Sequence, residues 1–241
     1  NRITNFFNIF NNMTKLSKKQ NDILGIMGIN HVYSDTPINR TKTETIVQDK
    51  HLLLENLVTR IKNIENCELK KNANNFVFSD GDKNSPIMIV GEGPGQKEDE
   101  LSLPFIGEAG QLLNKMLKAI NIDREKVYIT NVVNYRPPNN RKPQTEEIER
   151  YSEYLREHIY IINPKILILL GSTAMEALLG NRLKITKERG IWRKTFINEK
   201  DYKTMVTFHP AYLLRQPEQK KLSWLDLKDI RREIDNSGIK I

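Results

Sequence analysis

The chain has 241 residues, 38% hydrophobic and 28% charged, which is enough for one α/β domain with a full core. No apolar run approaches the roughly 20 residues needed to span a bilayer. A single cysteine, Cys67, excludes an internal disulfide framework and points to a reducing, cytoplasmic compartment. The formal charge is +8, and residues 181–232, with 14 Lys and Arg against 6 Asp and Glu, account for all of it. Such a stretch is either a solvated basic surface or a face for a polyanion, with nucleic acid the leading candidate.

Residues 1–50 are polar and weakly periodic, and predict a partly flexible extension with a short helix near 18–28. The chain opens on Asn1, with Met13 a candidate start, and FFNIF (6–10) is too short and Asn-rich for a signal segment. Residues 51–241 form the predicted domain. HLLLENLVTRIKNI (51–64) has helical spacing, and NFVFSDG (75–81) reads as a strand fragment ending in a turn. Strands and helices then alternate. IMIVG (87–91), VYITNVV (127–133), KILILLG (165–171) and TMVTF (204–208) read as strands. Between and after them GQLLNKMLKAI (110–120), TEEIERYSEYLREHIYII (145–162), STAMEALLG (172–180) and SWLDLKDIRREI (223–234) read as helices. This order predicts a three-layer α/β/α sandwich around a four-stranded parallel sheet.

Ligands of such sheets bind outside the carboxyl ends of the strands. Four segments fall there: GEGPGQKEDE (91–100), NVVNYRPPNNR (131–141), GSTA (171–174) and HPAYLLRQP (209–217). The first resembles a phosphate loop, but no GK[ST] follows and it carries four carboxylates, so a phosphate cradle is disfavoured. Its Gly93, Pro94 and Gly95 suit close approach of backbone to a flat ligand. Glu92 could orient a water or stabilise a developing cation. Asp99 and Glu100 are read as solvated acids. Phe105, in PFIG, is either a core aromatic or a ring that stacks on a planar ligand. Asn131 either caps a turn or reads an adjacent N–H and C=O pair with its carboxamide. Arg136, Asn140 and Arg141 lie on a stiff polar loop suited to phosphate contacts. His209 is structural or catalytic. Tyr212, Leu213 and Leu214 before Arg215 suit a wedge that enters a duplex and replaces an extruded base.

Taken together, GEGPGQKEDE with LPFIGEAGQLL, VYITNVVNYRPPNNR and HPAYLLR resemble the uracil-DNA glycosylases, specifically the family 4 type, over roughly residues 51–232. The resemblance implies hydrolysis of the bond between uracil and deoxyribose in double-stranded and single-stranded DNA, by a monomer of the bacterial cytosol and nucleoid. By motif, Phe105 would stack on uracil and Asn131 would read its O4 and N3–H edge. His209 would hydrogen-bond O2. Glu92 would position water and stabilise the sugar cation. Glu98 would support the loop and narrow the pocket against a thymine methyl. Tyr212, Leu213, Leu214 and Arg215 would fill the stack and grip the groove.

The chain departs from that family at its iron–sulfur cluster. Of the four expected cysteine positions only Cys67 is a cysteine, and Lys70, Tyr135 and Tyr151 occupy the others. One thiolate cannot anchor a four-cysteine cluster, so no cofactor and no metal are expected. A related branch forms a covalent adduct through a histidine beside the RPP loop. RPPNNRKPQTEE contains none, and that behaviour is not expected. Two other classes stay open on the sequence: a silent nucleic-acid-binding domain of the same fold, and a nucleotide-phosphate-binding α/β protein.

Overall fold

The computed structural model describes residues 49–241. The expected N-terminal extension lies outside the described residues, except for its last two positions. Helix α1 (Lys50–Lys62) starts where the Asp49 carboxylate accepts the His51 N–H, and buries Leu54, Leu57 and Ile61 at helical spacing. A short helix α2 (Glu68–Asn72) follows Cys67.

A six-stranded sheet forms the middle layer, in the order β1-β3-β2-β4-β6-β5. The inner four, β2 (Ile87–Gly91), β3 (Tyr128–Asn131), β4 (Ile166–Leu170) and β6 (Lys200–Thr207), run parallel. This is the expected sheet, but it is wider: β1 (Ser79–Gly81) and β5 (Trp192–Ile197) add antiparallel edges. The β5–β6 hairpin escapes the sequence pattern because Arg193 and Lys194 interrupt its apolar run. Its turn is Asn198–Glu199, both at positive φ, instead of the Asn-Gly that usually marks a two-residue hairpin loop.

β2 and β4 are buried at every position, as strands covered on both faces should be. Their side chains alternate between two cores. Met88, Val90, Leu167 and Leu169 meet α1, α5 (Thr145–Ile162) and α6 (Gly171–Leu179). Ile87, Ile89, Ile166 and Ile168 meet α4 (Glu108–Lys118), α8 (Pro210–Arg215) and α9 (Lys220–Asn236). The three-layer α/β/α prediction is therefore met. Two further short helices flank the strand ends: α3 (Gln96–Leu101) after β2, and α7 (Ile185–Glu188) after α6.

Candidate active site

The carboxyl ends of the parallel strands open on a cavity of about 560 Å³, a size usual for small-ligand sites. Glu92, Gly93, Pro94, Gly95 and Glu98 line it from the β2 end, with Phe105 beside them. His209, Tyr212 and Arg215 line it from the β6 end, and Asn140 and Arg141 from the loop after β3. Gly171 and Ser172 complete the wall from the β4 end.

The acidic residues of the first loop turn out to have separate tasks. Glu92 Oε2 accepts a hydrogen bond from the Thr173 hydroxyl at 2.5 Å. Glu98, 8% exposed, accepts the backbone N–H groups of Ile106 (2.9 Å) and Gly107 (2.7 Å) through Oε1, so it ties α3 to the loop that carries Phe105. Asp99 is not solvated as expected: it is 1% exposed and accepts the N–H groups of Asn74 and Asn75 and the Asn74 carboxamide. Only Glu100 is exposed, paired with Gln96. Buried carboxylates stay tolerable when amide donors surround them.

Phe105 adopts φ +54°, a left-handed conformation that costs a non-glycine residue about 1–3 kcal/mol. Arg124 holds that turn from outside. Its guanidinium donates to the carbonyls of Pro104 (2.6 Å) and Phe105 (2.9 Å) and is itself fixed by Asp80 (2.9 Å) and Asn114 (3.0 Å). The Phe105 ring lies 5.5 Å from that of His209 and rests over Gly91. A Cβ at Gly91 would come within 2.4 Å of the ring and 2.5 Å of Asn131 Oδ1, so glycine is needed there for close approach.

Asn131 is the last residue of β3, is 3% exposed, and its Oδ1 has no hydrogen-bond partner. His209 is the N-cap of α8, and its Nδ1 accepts the Ala211 N–H at 3.2 Å. A neutral ring that accepts at Nδ1 carries its proton on Nε2. That Nε2 is also buried without a partner. Burial, and then the Arg215 charge, pull the imidazole from its ordinary 6.5 to about 4, so it is neutral at pH 7. Gly171, at φ +93°, lets the β4 end pass close to the His209 Cβ. Among the described residues Arg193 Nε, Thr195 Oγ1, Tyr202 Oη and Ser223 Oγ are likewise buried without a partner, but Asn131 Oδ1 and His209 Nε2 are the two that lie beside Phe105, His209 lining the cavity and Asn131 just behind it.

The expected DNA-contact residues divide. HPAYLLR is a helix, α8, and not a loop, so its side chains point to different sides. Leu213 is 1% exposed and belongs to the core with α4, which removes it as a duplex wedge. Leu214 is 41% exposed and Arg215 is exposed beside it. Arg141 is engaged by both oxygens of Glu147, each at 2.7 Å, and Arg136 donates to Asn140 at 2.7 Å. The basic C-terminal stretch does not form one face. β6 runs from the hairpin to the cavity, so Lys194, Lys200 and Lys203 lie at the opposite end of the sheet, each with a partner in Asp201, Asn163 and Glu233. Arg189 is tied to the buried Asp226.

The iron–sulfur positions form a different kind of site. Cys67 Sγ lies 3.4 Å from the Tyr151 hydroxyl, and both residues are buried. Tyr135 is buried nearby, its phenol pushed up by burial and then by the Cys67 thiol. Lys70 turns away, its ammonium bonded to the carbonyl of Lys62. Two phenols and an ammonium do not supply the thiolates that a four-iron cluster needs, and the space is filled by packed side chains. These residues do not fit the cluster.

Thr173, Arg124 and Gly91 are not singled out by the sequence reading, although each sits in a segment it marks. Thr173 is in GSTA at a strand end, and Gly91 opens the glycine loop. Arg124 carries no local signal: it acts on carbonyls 19 and 20 residues away.

The comparisons with known proteins give the family. The family model of the uracil DNA glycosylase superfamily matches residues 78–228. The chain is 41% identical over 185 residues to the type-4 uracil-DNA glycosylase of Thermotoga maritima, covering 75% of this chain and 92% of that protein. It is 39% identical to the type-4 enzyme of Sulfurisphaera tokodaii (74% and 83% covered) and 41% identical to that of Pyrobaculum aerophilum (68% and 86% covered). On its sequence, its fold and these matches, the chain belongs to the uracil DNA glycosylase superfamily, among its type-4 members.

Proposed function

We propose that the chain is a uracil-DNA glycosylase that hydrolyses the N-glycosidic bond of deoxyuridine in DNA, releasing free uracil and leaving an abasic site for base excision repair. The observation that carries this reading is the pair of unsatisfied buried atoms, Asn131 Oδ1 and His209 Nε2, both beside Phe105, with His209 lining the cavity and Asn131 just behind it. A uracil flipped out of the stack offers N3–H to the Asn131 oxygen and O4 to its amide. Cytosine offers an unprotonated N3 and an amine at the same edge, so it meets the carboxamide donor to donor and acceptor to acceptor. Phe105 stacks on the ring. Glu98 supports the Phe105 loop and, with the loop's Gly93, Pro94 and Gly95, narrows the space around the base.

Bond cleavage leaves positive charge on the sugar and negative charge on the base. The neutral His209 donates from Nε2 to O2 as that charge develops, and Glu92 faces the cationic C1′ and orients a water. The C1′–N1 bond breaks with its electron pair going to uracil, and the water oxygen bonds C1′. Of the two water protons, one stays on the new hydroxyl and the other is released, and uracil takes up a proton from solvent as it leaves. Charge stabilisation of this kind contributes about 10²–10³ in rate per donor.

The catalytic domain is assigned to residues 51–241, with residues 1–50 as an extension. Leu214, Tyr212 and Arg215 on α8, with Arg136 and Asn140, form the DNA-contacting rim, and Arg141 shapes it through Glu147. The enzyme acts as a cytoplasmic monomer on single-stranded and double-stranded DNA, and works without an iron–sulfur cluster. A purified sample that absorbs near 400 nm and loses activity with its iron would overturn the last point.

The test is release of free uracil from a uracil-containing oligonucleotide, without added metal or nucleotide. Release, with an alkali-labile site left in the strand, supports the reading. Duplex binding with no release supports a silent nucleic-acid-binding domain instead.

A further inference from the structure

Glu92 is the one carboxylate of its loop that lines the cavity without a backbone amide to hold it, and a glutamate side chain has three rotatable bonds. What fixes it comes from the neighbouring strand. Thr173 is the third residue of α6, is 0% exposed, and sends its hydroxyl across to Glu92 Oε2. Threonine inside a helix commonly bonds back to a carbonyl of its own chain. This one forms no such bond, and α6, whose N-cap is Leu170, has no side-chain cap either. Oε1 of Glu92 has no protein partner among the described residues, in a side chain that lines the cavity.

We propose that Thr173 is a positioning residue of the reaction: by holding Oε2 it aims the free Oε1 of Glu92 at the water and the sugar carbon. β2 and β4 are adjacent and parallel, so the end of one carries the carboxylate and the helix after the other carries its anchor. Fixing one oxygen of a planar carboxylate fixes the other, and orientation of this kind sets rate more than binding. The inference rests on the glycosylase reading for its reaction, and on the Thr173–Glu92 contact for its substance.

Uracil release by the unmodified chain is measured first, which tests the reading itself. Thr173→Val, which keeps the shape and removes the hydroxyl, is then expected to lower single-turnover uracil release about 10–100-fold, the effect of one hydrogen bond to a charged group. Duplex affinity and KM stay within about twofold, because uniform binding is untouched. Thr173→Ser, which keeps the hydroxyl, restores most of the rate. If Thr173→Val does not fold, Thr173→Ala read against Thr173→Ser carries the same comparison. The readout that general damage to the fold cannot imitate is the double variant. In a Glu92→Ala background the hydroxyl has nothing to hold, so Thr173→Val lowers the rate no further. A wild-type rate in Thr173→Val overturns the proposal, as does an equal loss with and without Glu92.

Discussion

The cavity at the strand ends and the Cys67 region both bury polar side chains among aromatic rings, yet they treat those groups oppositely. At the strand ends, Asn131 Oδ1 and His209 Nε2 are buried without a hydrogen-bond partner. Around Cys67, the thiol and the Tyr151 hydroxyl face each other and Tyr135 closes the space. An unpaired buried polar atom costs stability, and of the six among the described residues Asn131 Oδ1 and His209 Nε2 are the ones that lie together beside Phe105 at the strand ends. The Cys67 region does not present that demand: where the resemblance expects a metal cluster, this chain has packed phenols. The difference separates a region with buried groups left unpaired from one in which they are packed against each other.

The sharpest way to break that contrast is Asn131→Asp. A carboxylate has no amide to donate to O4, and it repels the charge that builds on the base. Uracil release is expected to fall about 10²–10³-fold while duplex binding survives, measured by single-turnover excision beside a gel or anisotropy titration. Undiminished excision removes Asn131 from the account.

Arg124→Ala probes the same site from a distance. It frees the Pro104 and Phe105 carbonyls and strands Asp80, so the strained Phe105 turn loses its outer clamp. Excision is expected to fall about tenfold, since small misplacement of a positioned group is costly. Thermal unfolding of the same variant reports whether the clamp also supports the fold.

Tyr151→Phe probes the other region. It deletes one partner of the Cys67 contact and is expected to cost about 0.5–1.5 kcal/mol in urea unfolding with uracil release unchanged. A loss of activity without a loss of stability there would erase the distinction between the two regions.

A further comparison concerns pH. Burial pulls His209 to about 4 and His158, paired with the Tyr128 hydroxyl, to about 3. Unfolded, both titrate near 6.5, so below that pH the unfolded chain binds protons that the folded chain refuses. Their contribution to stability is complete above about pH 6.5 and is lost progressively as pH falls toward 4. Urea midpoints at pH 7.5 and 5 check this. Excision, which uses the neutral ring, is expected to show no acidic limb near 6.5, with kcat/KM at pH 5.5 within about threefold of its value at 7.5.

Much of this was legible in the sequence because the parallel strands are short, apolar and punctuated by glycine and proline. IMIVG and KILILLG read directly as buried strands, and the strand-end rule then led to Glu92, Asn131 and His209, with Phe105 picked out of PFIG beyond the first of those segments; the fold brings them around one cavity or, for Asn131, just behind it. What stayed hidden depends on which way a helix faces and on long-range pairing. Leu213 and Leu214 are neighbours in sequence, but a helical turn sends one to the core and one to the surface. Asp99 looks like a surface acid until Asn74 and Asn75 arrive to bond it. The charge of residues 181–232 reads as one patch, while the β5–β6 hairpin carries Lys194, Lys200 and Lys203 to the end of the sheet away from the cavity and Arg215 stands at the cavity itself.

The central claim is that Asn131 reads the edge that separates uracil from cytosine, that the Glu98-supported loop leaves no room for the thymine methyl, and that His209 stabilises the departing base. It is tested most directly by single-turnover release from three duplexes that differ only in carrying uracil, cytosine or thymine at one position. The account predicts release of uracil, with cytosine and thymine left in place under the same enzyme excess. No release from any duplex, or release of cytosine at a rate comparable with uracil, contradicts it.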